Sequence, residues 1–310
     1  MRDVAPVDVT VVVATRNRAT LLPACIAALS RQKTDAHFEL VVVDNGSQDA
    51  TAEIARAWAQ RDPRVRLVQE AAVGVSGAKN AGIRSARGDL VLFTDDDVVL
   101  PDGWIAAFVD FFRTPRATPV LAGGPVLPIA QDLSPWPAWI TASGTAELPR
   151  LYHGDKPRRL GEYDWLWGAN MAAPRRVFDA IGAFDETIGV SGDRRGTFED
   201  VELVQRVAAH GGESWYLPAA VLYHPTPTEA ARPQTLAGKA FNRGANDVLR
   251  DRRGSVYERS LPVPRAQLAG ALAAPPLLAA WMLAAVAFRA TGHPSAFELA
   301  RRCAWGAGWC

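Results

Sequence analysis

Cysteine is scarce in this chain. There are three, Cys25, Cys303 and Cys310. They are far apart or at the very end, so neither a disulfide framework nor a cysteine metal site is expected. Net charge is nearly absent as well: 34 basic residues stand against 33 acidic ones, for a formal +1. No global field therefore points to nucleic acid as a partner, and any electrostatic specialisation has to be local. The first apolar run, Val9 to Ala14, is too short for a secretory signal and follows Asp3 and Asp8, so a cytoplasmic location is expected. Internal repeats are lacking too. Apolar residues make up 48% and charged ones 22%, which excludes wholesale disorder.

What is present is a rhythm of buried strands and helices. Val9 to Ala14 is a continuous β-branched run, as expected for a strand covered on both faces. A helix is expected from about 19 to 31, a second strand over Leu40–Val43, a helix from about 50 to 60, and a shorter strand over Val65–Val68. A helix over 76–86 and a strand over Leu90–Phe93 complete the series. That order implies an α/β fold with a mostly parallel sheet, right-handed crossovers and helices on both faces. Ligands of such sheets sit at the carboxyl ends of the strands. Polar residues gather at those ends: Thr15-Arg16-Asn17 after the first strand, Asp44-Asn45 after the second, Asp95-Asp96-Asp97 after the fourth. Beyond a Pro-, Gly- and Trp-rich stretch (114–163, with an ordered loop expected at Leu133–Trp139), helices are expected over 174–181 and 199–210. One or two strands are expected over 215–224.

Four clusters carry chemistry. Adjacent carboxylates on a sharp turn suit a hard divalent cation, Mg²⁺ or Mn²⁺, which offsets charge on a leaving diphosphate; a bare acidic run is also an ordinary solvated loop. Glu199-Asp200 at a helix start complements the helix dipole, or else presents Asp200 as a general base toward a sugar hydroxyl. His224 at a strand end is an ordinary packed residue, or an extra ligand for Mn²⁺ if the fold brings it to the aspartates. The glycine-rich stretch Gly74–Gly82 matches neither dinucleotide nor Walker spacing; it is either a tight turn before a helix or a loop that brings Lys79 to a phosphate.

In this order the pieces resemble the family 2 glycosyltransferases, inverting enzymes of GT-A fold. The resemblance runs from Val9 to about Pro225. Val12–Arg18 is similar to the family's opening strand and nucleotide loop, and Val43–Asp49 to its second motif. Gly77–Gly82 with Gly88-Asp89 leads to a metal motif like Asp95-Asp96-Asp97. Gly168–Met171 and Gly182–Asp185 look like its acceptor-side segment, and Glu199-Asp200 with Leu203 and Arg206 like the segment bearing its base. The resemblance implies a nucleotide-diphosphate sugar as donor. Thr15, Arg16, Asn17, Asp44, Asn45, Lys79, Asp95 and Asp96 would lie on the donor side, with Asp97 as metal ligand and His224 completing the metal site in the product-bound state. Asp200 would be the base, and Trp167, Asn170 and Glu199 would lie on the acceptor side. Where many members have an aromatic residue after the threonine, this chain has Arg16, whose guanidinium plane can stack on a base instead. The glutamine-rich tryptophan motif of the processive synthases is not found, so transfer of one sugar is expected.

The expected organisation is a catalytic domain over 1–228, with a nucleotide half over about 1–115 and an acceptor half over about 116–228. A basic, then apolar, helical extension over 229–310 follows. From Arg232 to Arg265 eight basic residues face three acidic ones, and Ala266–Phe288 carries no charge. As a helix the latter would be about 34 Å long, enough to cross a hydrocarbon core. Pro275-Pro276 interrupts it, and spanning, interfacial and packed arrangements all stay open. Membrane contact through 232–288 at the cytoplasmic face, with a glycan or lipid-linked acceptor, is the corresponding expectation. A sugar nucleotidyltransferase and a non-catalytic nucleotide-sugar-binding protein are the competing readings. Transfer of a sugar predicts release of nucleoside diphosphate from a sugar nucleotide; release of pyrophosphate, or no turnover, selects one of the competitors.

Overall fold

In the computed structural model, residues 7–114, 118–130, 148, 150–161, 164–189, 199–232 and 235 are described. The loop expected at Leu133–Trp139 and the apolar segment 266–288 lie outside them. The chain groups into two compact units, Met1–Leu127 with Leu151–His224, and Pro128–Arg150 with Pro225–Cys310. Of the second, a short 3-10 turn (Thr228–Ala231) is described, together with the last residues of two strands that begin in the first.

The first unit is built on β1 (Val9–Thr15), α1 (Leu22–Ser30), β2 (Phe38–Asp44), α2 (Thr51–Arg61), β3 (Val65–Gln69), α3 (Val75–Ser85), β4 (Leu90–Thr94) and α4 (Trp104–Phe112). Next come β5 (Val120–Gly123), β6 (Val126–Ala130), β7 (Arg158–Arg159), β8 (Asn170–Pro174), α5 (Arg175–Ile181), α6 (Glu199–Ala209), β9 (Glu213–Tyr216) and β10 (Leu222–Thr226). Eight strands form one sheet in the order β3-β2-β1-β4-β8-β5-β9-β7, and β6 pairs with β10 in a small second sheet. β1 runs parallel to β2 and β4, β2 to β3, and β5 to β9; β8 lies antiparallel between β4 and β5, and β7 antiparallel to β9. The expected mostly parallel sheet is present, with a reversed strand in its centre. Nothing β-branched marks β8, whose sequence is Asn-Met-Ala-Ala-Pro.

Strand alternation divides the core in two. Val9, Val11 and Val13 of β1, with Leu40 and Val42 of β2, pack under α1, α2 and α4. Val12, Val41 and Val43 pack with α3, α5 and α6 on the opposite face. β2 is buried along its whole length, the reason its central residues Leu40–Val43 read as an unbroken apolar run. Phe93 of β4 meets Phe178 and Phe184 edge-on, with ring centroids 5.9 and 5.3 Å away, a geometry worth about 0.5–1.5 kcal/mol per pair beyond area burial. Helix α1 starts three residues later than the expected 19, because Arg18–Leu21 forms a turn, with Pro23 just inside the helix.

Close contact between α3 and β1 depends on Gly82. A side-chain carbon there would overlap the side chain of Val12, deep in the sheet. Overpacking a well-filled core costs about 1–3 kcal/mol, and the better helix propensity of alanine offsets about 1 kcal/mol of it. Gly82→Ala is therefore expected to lower the urea midpoint with little change in m-value, by a net loss of up to about 2 kcal/mol.

Candidate active site

The register of the sheet brings the polar strand ends together. Thr15 and Asp44 are cross-strand partners at the ends of β1 and β2. Val13 pairs with Thr94, so the turn Asp95-Asp96-Asp97 leaves β4 beside Thr15. The Thr15 hydroxyl donates to Asp96 Oδ2 at 2.6 Å. Asp44 is buried and accepts the Ser47 N–H at 3.3 Å, which shapes the turn after β2.

Several residues expected on the donor side hold the loops of this edge. Asn17 adopts a left-handed backbone (φ 54°), a conformation asparagine tolerates better than most residues. Its N–H donates to Ser47 Oγ at 2.9 Å, and its Oδ1 accepts the Gln48 N–H at 2.8 Å, joining the loops after β1 and β2. Asn45 is buried; its amide donates to the carbonyls of Glu70 and Ala72, and its Oδ1 accepts the Gly74 N–H at 2.8 Å. It thereby fixes the loop into α3. Arg16 is exposed in the loop after β1.

Arg18 is the cation that sequence reasoning missed. Its Nε lies 3.4 Å from Asp96 Oδ1 and a terminal nitrogen 3.5 Å from Asp97 Oδ2. The only sequence signal was its place in the loop after β1, among residues that resembled a nucleotide-binding motif. On the other side of Asp97, Oδ1 stands 3.9 Å from Nε2 of His224. A paired stretch of backbone explains this contact: Val99 and Tyr223 exchange N–H···O bonds of 2.8 and 2.9 Å, so β10 runs alongside the segment that follows the acidic turn. Trp167 stacks on the His224 ring at 6.2 Å and 19°, with the exposed Trp165 tilted beside it at 6.2 Å.

A cation site built from protein alone is not present: among the described residues no group of three His, Cys, Asp or Glu side chains is arranged to hold an ion. The pair Asp97–His224 nevertheless fits two positions of one. Metal–ligand bonds of about 2.1 Å reach across at most about 4.2 Å, and the pair stands 3.9 Å apart. One hard oxygen and one imidazole nitrogen suit Mn²⁺.

The third part of the site is the start of α6. Asp200 is 9% exposed. Its Oδ2 accepts the Gly168 N–H at 2.9 Å and its Oδ1 accepts the Val201 N–H at 2.8 Å. Gly168 precedes β8, and β8 is antiparallel to β4, so the strand's entry lies at the same end of the sheet as the acidic turn. Burial and the neighbouring Glu199 push the Asp200 carboxyl above the usual carboxylate range, against the pull of Lys79 and the two N–H groups. Lys79 is 4% exposed; its ammonium turns to Glu199 Oε1 at 3.2 Å and lies 5.1 Å from the centre of the Phe184 ring. Burial pulls that ammonium down, but Glu199, Asp95 and Asp200 together outweigh it and hold Lys79 above the ordinary lysine value. Packing around Asp95 pushes its carboxyl up, against Lys79.

Asn170 belongs to the framework rather than to the solvent-facing edge. Its side chain is fully buried, donates to the Pro125 and Ala220 carbonyls at 2.9 and 2.8 Å, and accepts the Trp104 indole N–H at 2.8 Å. Every hydrogen-bonding direction but one lone pair is thereby used.

Comparison with known proteins fits this geometry. A family model described as glycosyl transferase family 2 matches residues 10–180, more than half of the chain. The chain belongs to glycosyl transferase family 2. This family 2 member is 29% identical over 237 residues to a validoxylamine A glucosyltransferase of Streptomyces hygroscopicus subsp. jinggangensis, covering 67% of this chain and 54% of the relative. It is 26% identical over 273 residues to the succinoglycan biosynthesis protein ExoA of Rhizobium meliloti, covering 85% of this chain and 77% of that protein. The chain thus spans about half the length of the first of these. Among solved structures, a mannosyltransferase from Pyrobaculum calidifontis, in complex with GDP-Man and Mn²⁺, superposes with a TM-score of 0.58 at 21% identity. The match covers 99% of this chain and 88% of that one. The fold is GT-A.

Asp96 gives a test of the electrostatics. Burial pushes its pKa up to about 6, with Asp97 and Asp95 adding to the effect and Thr15 and Arg18 opposing it. The folded protein therefore holds this proton more tightly than the unfolded chain. Its contribution to stability is favourable at low pH and is lost as pH rises from the ordinary carboxylate range through about 6. In chelator-treated protein, Asp96→Asn is expected to be more stable than wild type at pH 7.5 by about 1–3 kcal/mol. The gain should vanish near pH 4, as read by urea denaturation.

Proposed function

We propose that this chain is an inverting glycosyltransferase. It moves one sugar from a nucleotide-diphosphate sugar to an acceptor hydroxyl, in the synthesis of cell-surface polysaccharide, glycolipid or another glycoconjugate. The observation that carries the reading is Asp200, a buried carboxylate fixed by the Gly168 N–H at the same sheet end as the acidic turn. Family membership supports transfer over nucleotidyl chemistry.

In this reading Thr15, Asp44, Asp95 and Asp96 hold the nucleotide, and Arg16 offers a planar face to its base. A divalent cation, Mn²⁺ or Mg²⁺, between Asp97 and His224 would supply positive charge against the leaving diphosphate; the Mn²⁺ of the mannosyltransferase complex supports this. Asp200 takes the proton of the acceptor hydroxyl. The freed oxygen attacks the anomeric carbon from the face opposite the diphosphate, the bond to the diphosphate oxygen breaks, and the configuration inverts. A pKa raised by burial suits this step, because a more basic carboxylate is the better proton acceptor. Trp167 and Glu199 border the acceptor side, and Trp167 offers an aromatic face to a sugar ring.

Membrane contact belongs to the same proposal. Among the described residues no helix is long and apolar enough to cross a membrane, and the uncharged stretch 266–288 lies outside them. The basic run before it is suited to anionic lipid on a cytoplasmic face, where a lipid-linked acceptor would be within reach.

The test is release of nucleoside diphosphate from a panel of UDP-glucose, UDP-GlcNAc and GDP-Man with Mn²⁺. Asp200→Asn is expected to lower turnover about 10²- to 10⁴-fold, while binding of the nucleoside diphosphate, measured calorimetrically, stays within about twofold (about 0.4 kcal/mol). Turnover near the wild-type rate in that variant would remove Asp200 as the base.

A further inference from the structure

Lys79 was expected beside a donor phosphate, and the structure gives it a different set of neighbours. It sits on α3, and its ammonium is enclosed by three other pieces of chain. Glu199, the first residue of α6, takes its charge at 3.2 Å. The ring of Phe184 lies 5.1 Å below it. Gly168 lines the remaining side: a side-chain carbon at that position would stand 2.5 Å from the Lys79 nitrogen and 3.5 Å from Asp200 Cβ. Gly168 is also the residue whose N–H holds the Asp200 carboxylate. One backbone position thus leaves room for the ammonium and grips the carboxylate.

The electrostatics of α6 explain why such an arrangement is needed. Its first turn carries Glu199, Asp200 and Glu202. The helix terminus favours negative charge by about 0.3–1 kcal/mol per group when exposed, but adjacent carboxylates that are largely buried repel each other in a medium that screens them poorly. Removing one partner of a buried ion pair strands the other. Among the described side chains, Lys79 is the cation that holds Glu199.

We propose that Lys79 is a positioning residue: its enclosed ammonium anchors Glu199 and the first turn of α6, and so fixes the Asp200 carboxylate against the Gly168 N–H, instead of binding the donor phosphates. The proposal rests on Asp200 as the base, and the experiment separates the two. Nucleoside diphosphate release from UDP-glucose, UDP-GlcNAc and GDP-Man with Mn²⁺ is measured for the full chain and for Lys79→Met, Glu199→Gln, Gly168→Ala and Asp200→Asn. Binding of UDP and GDP is measured in parallel. Lys79→Met keeps the side-chain length and removes the charge. Its kcat is expected to fall about 10- to 100-fold, with donor KM and nucleoside diphosphate affinity within about twofold of wild type. Gly168→Ala keeps the charge but crowds the ammonium, and Glu199→Gln keeps an acceptor but removes the anchoring charge. Both are expected to lose kcat with donor KM unchanged, and they carry the test if Lys79→Met does not fold. A donor KM or nucleotide Kd raised more than tenfold in Lys79→Met, with kcat preserved, would make Lys79 a donor ligand and overturn the proposal. So would wild-type kcat in Glu199→Gln and Gly168→Ala. If Asp200→Asn itself turns over normally, the assignment of the base fails, whatever Lys79 does.

Discussion

A sheet covered on both faces leaves its polar chemistry a single place to go. β1, β2 and β4 are buried along nearly all of their length, and α1, α2 and α4 on one side and α3, α5 and α6 on the other exclude water from both surfaces. A carboxylate within those strands needs dedicated partners, and Glu39 shows how many. Thr10 and the Arg87 N–H donate to it, and Arg66 pairs with it at 2.9 Å. Asp44, Asp95, Asp96 and Asp97 stand instead where the strands end. The parallel register of β1, β2 and β4 turns those ends into one edge, which is why Thr15, Asp44 and the acidic turn face each other without being near in sequence.

Side chains tie the loops of that edge to one another. Asn17 joins the loops after β1 and β2, Asn45 holds the loop into α3, and Asn170 holds β8 to the chain on either side of it. Three asparagines thus do framework work beside groups with reactive potential. Among the described residues these charges are offset only in part. Asp95, Asp96, Asp97, Glu199 and Asp200 stand against Arg18 and Lys79, with His224 as a titratable third. For the proposed anionic donor, this excess of carboxylate is the physical reason that a divalent cation belongs in the reading.

Much of this was written plainly in the sequence. β-Branched runs marked β1 and β2, the acidic turn stood at the end of a run that is β4, and Glu199–Ala209 is helical within a residue of the expected limit. These features are local, and hydrophobic period reports them directly. What was hidden depends on distant contacts. β8 is a short run of small residues whose strand character comes from its place between β4 and β5, and α4 was not expected, although four of its nine residues, including Trp104, are buried. Donor-side and framework asparagines look alike in a motif; only their partners distinguish them. Lys79 is the sharpest case, because a lysine in a glycine-rich stretch suggests phosphate. Its enclosure by Gly168, Phe184 and Glu199 comes from segments about 90 to 120 residues further along.

The pairing of Val99 with Tyr223 also joins two parts of the chain that are made far apart in time. β1 to β4 and the helices between them are joined by short connections and can associate as soon as they leave the ribosome. Asp97 is among these early residues, while its imidazole partner arrives on β10, the last described strand. Loop closure over so long a separation comes late in folding. An incomplete chain can therefore present the sheet and the acidic turn without His224, so that the site is completed only once that late strand has docked.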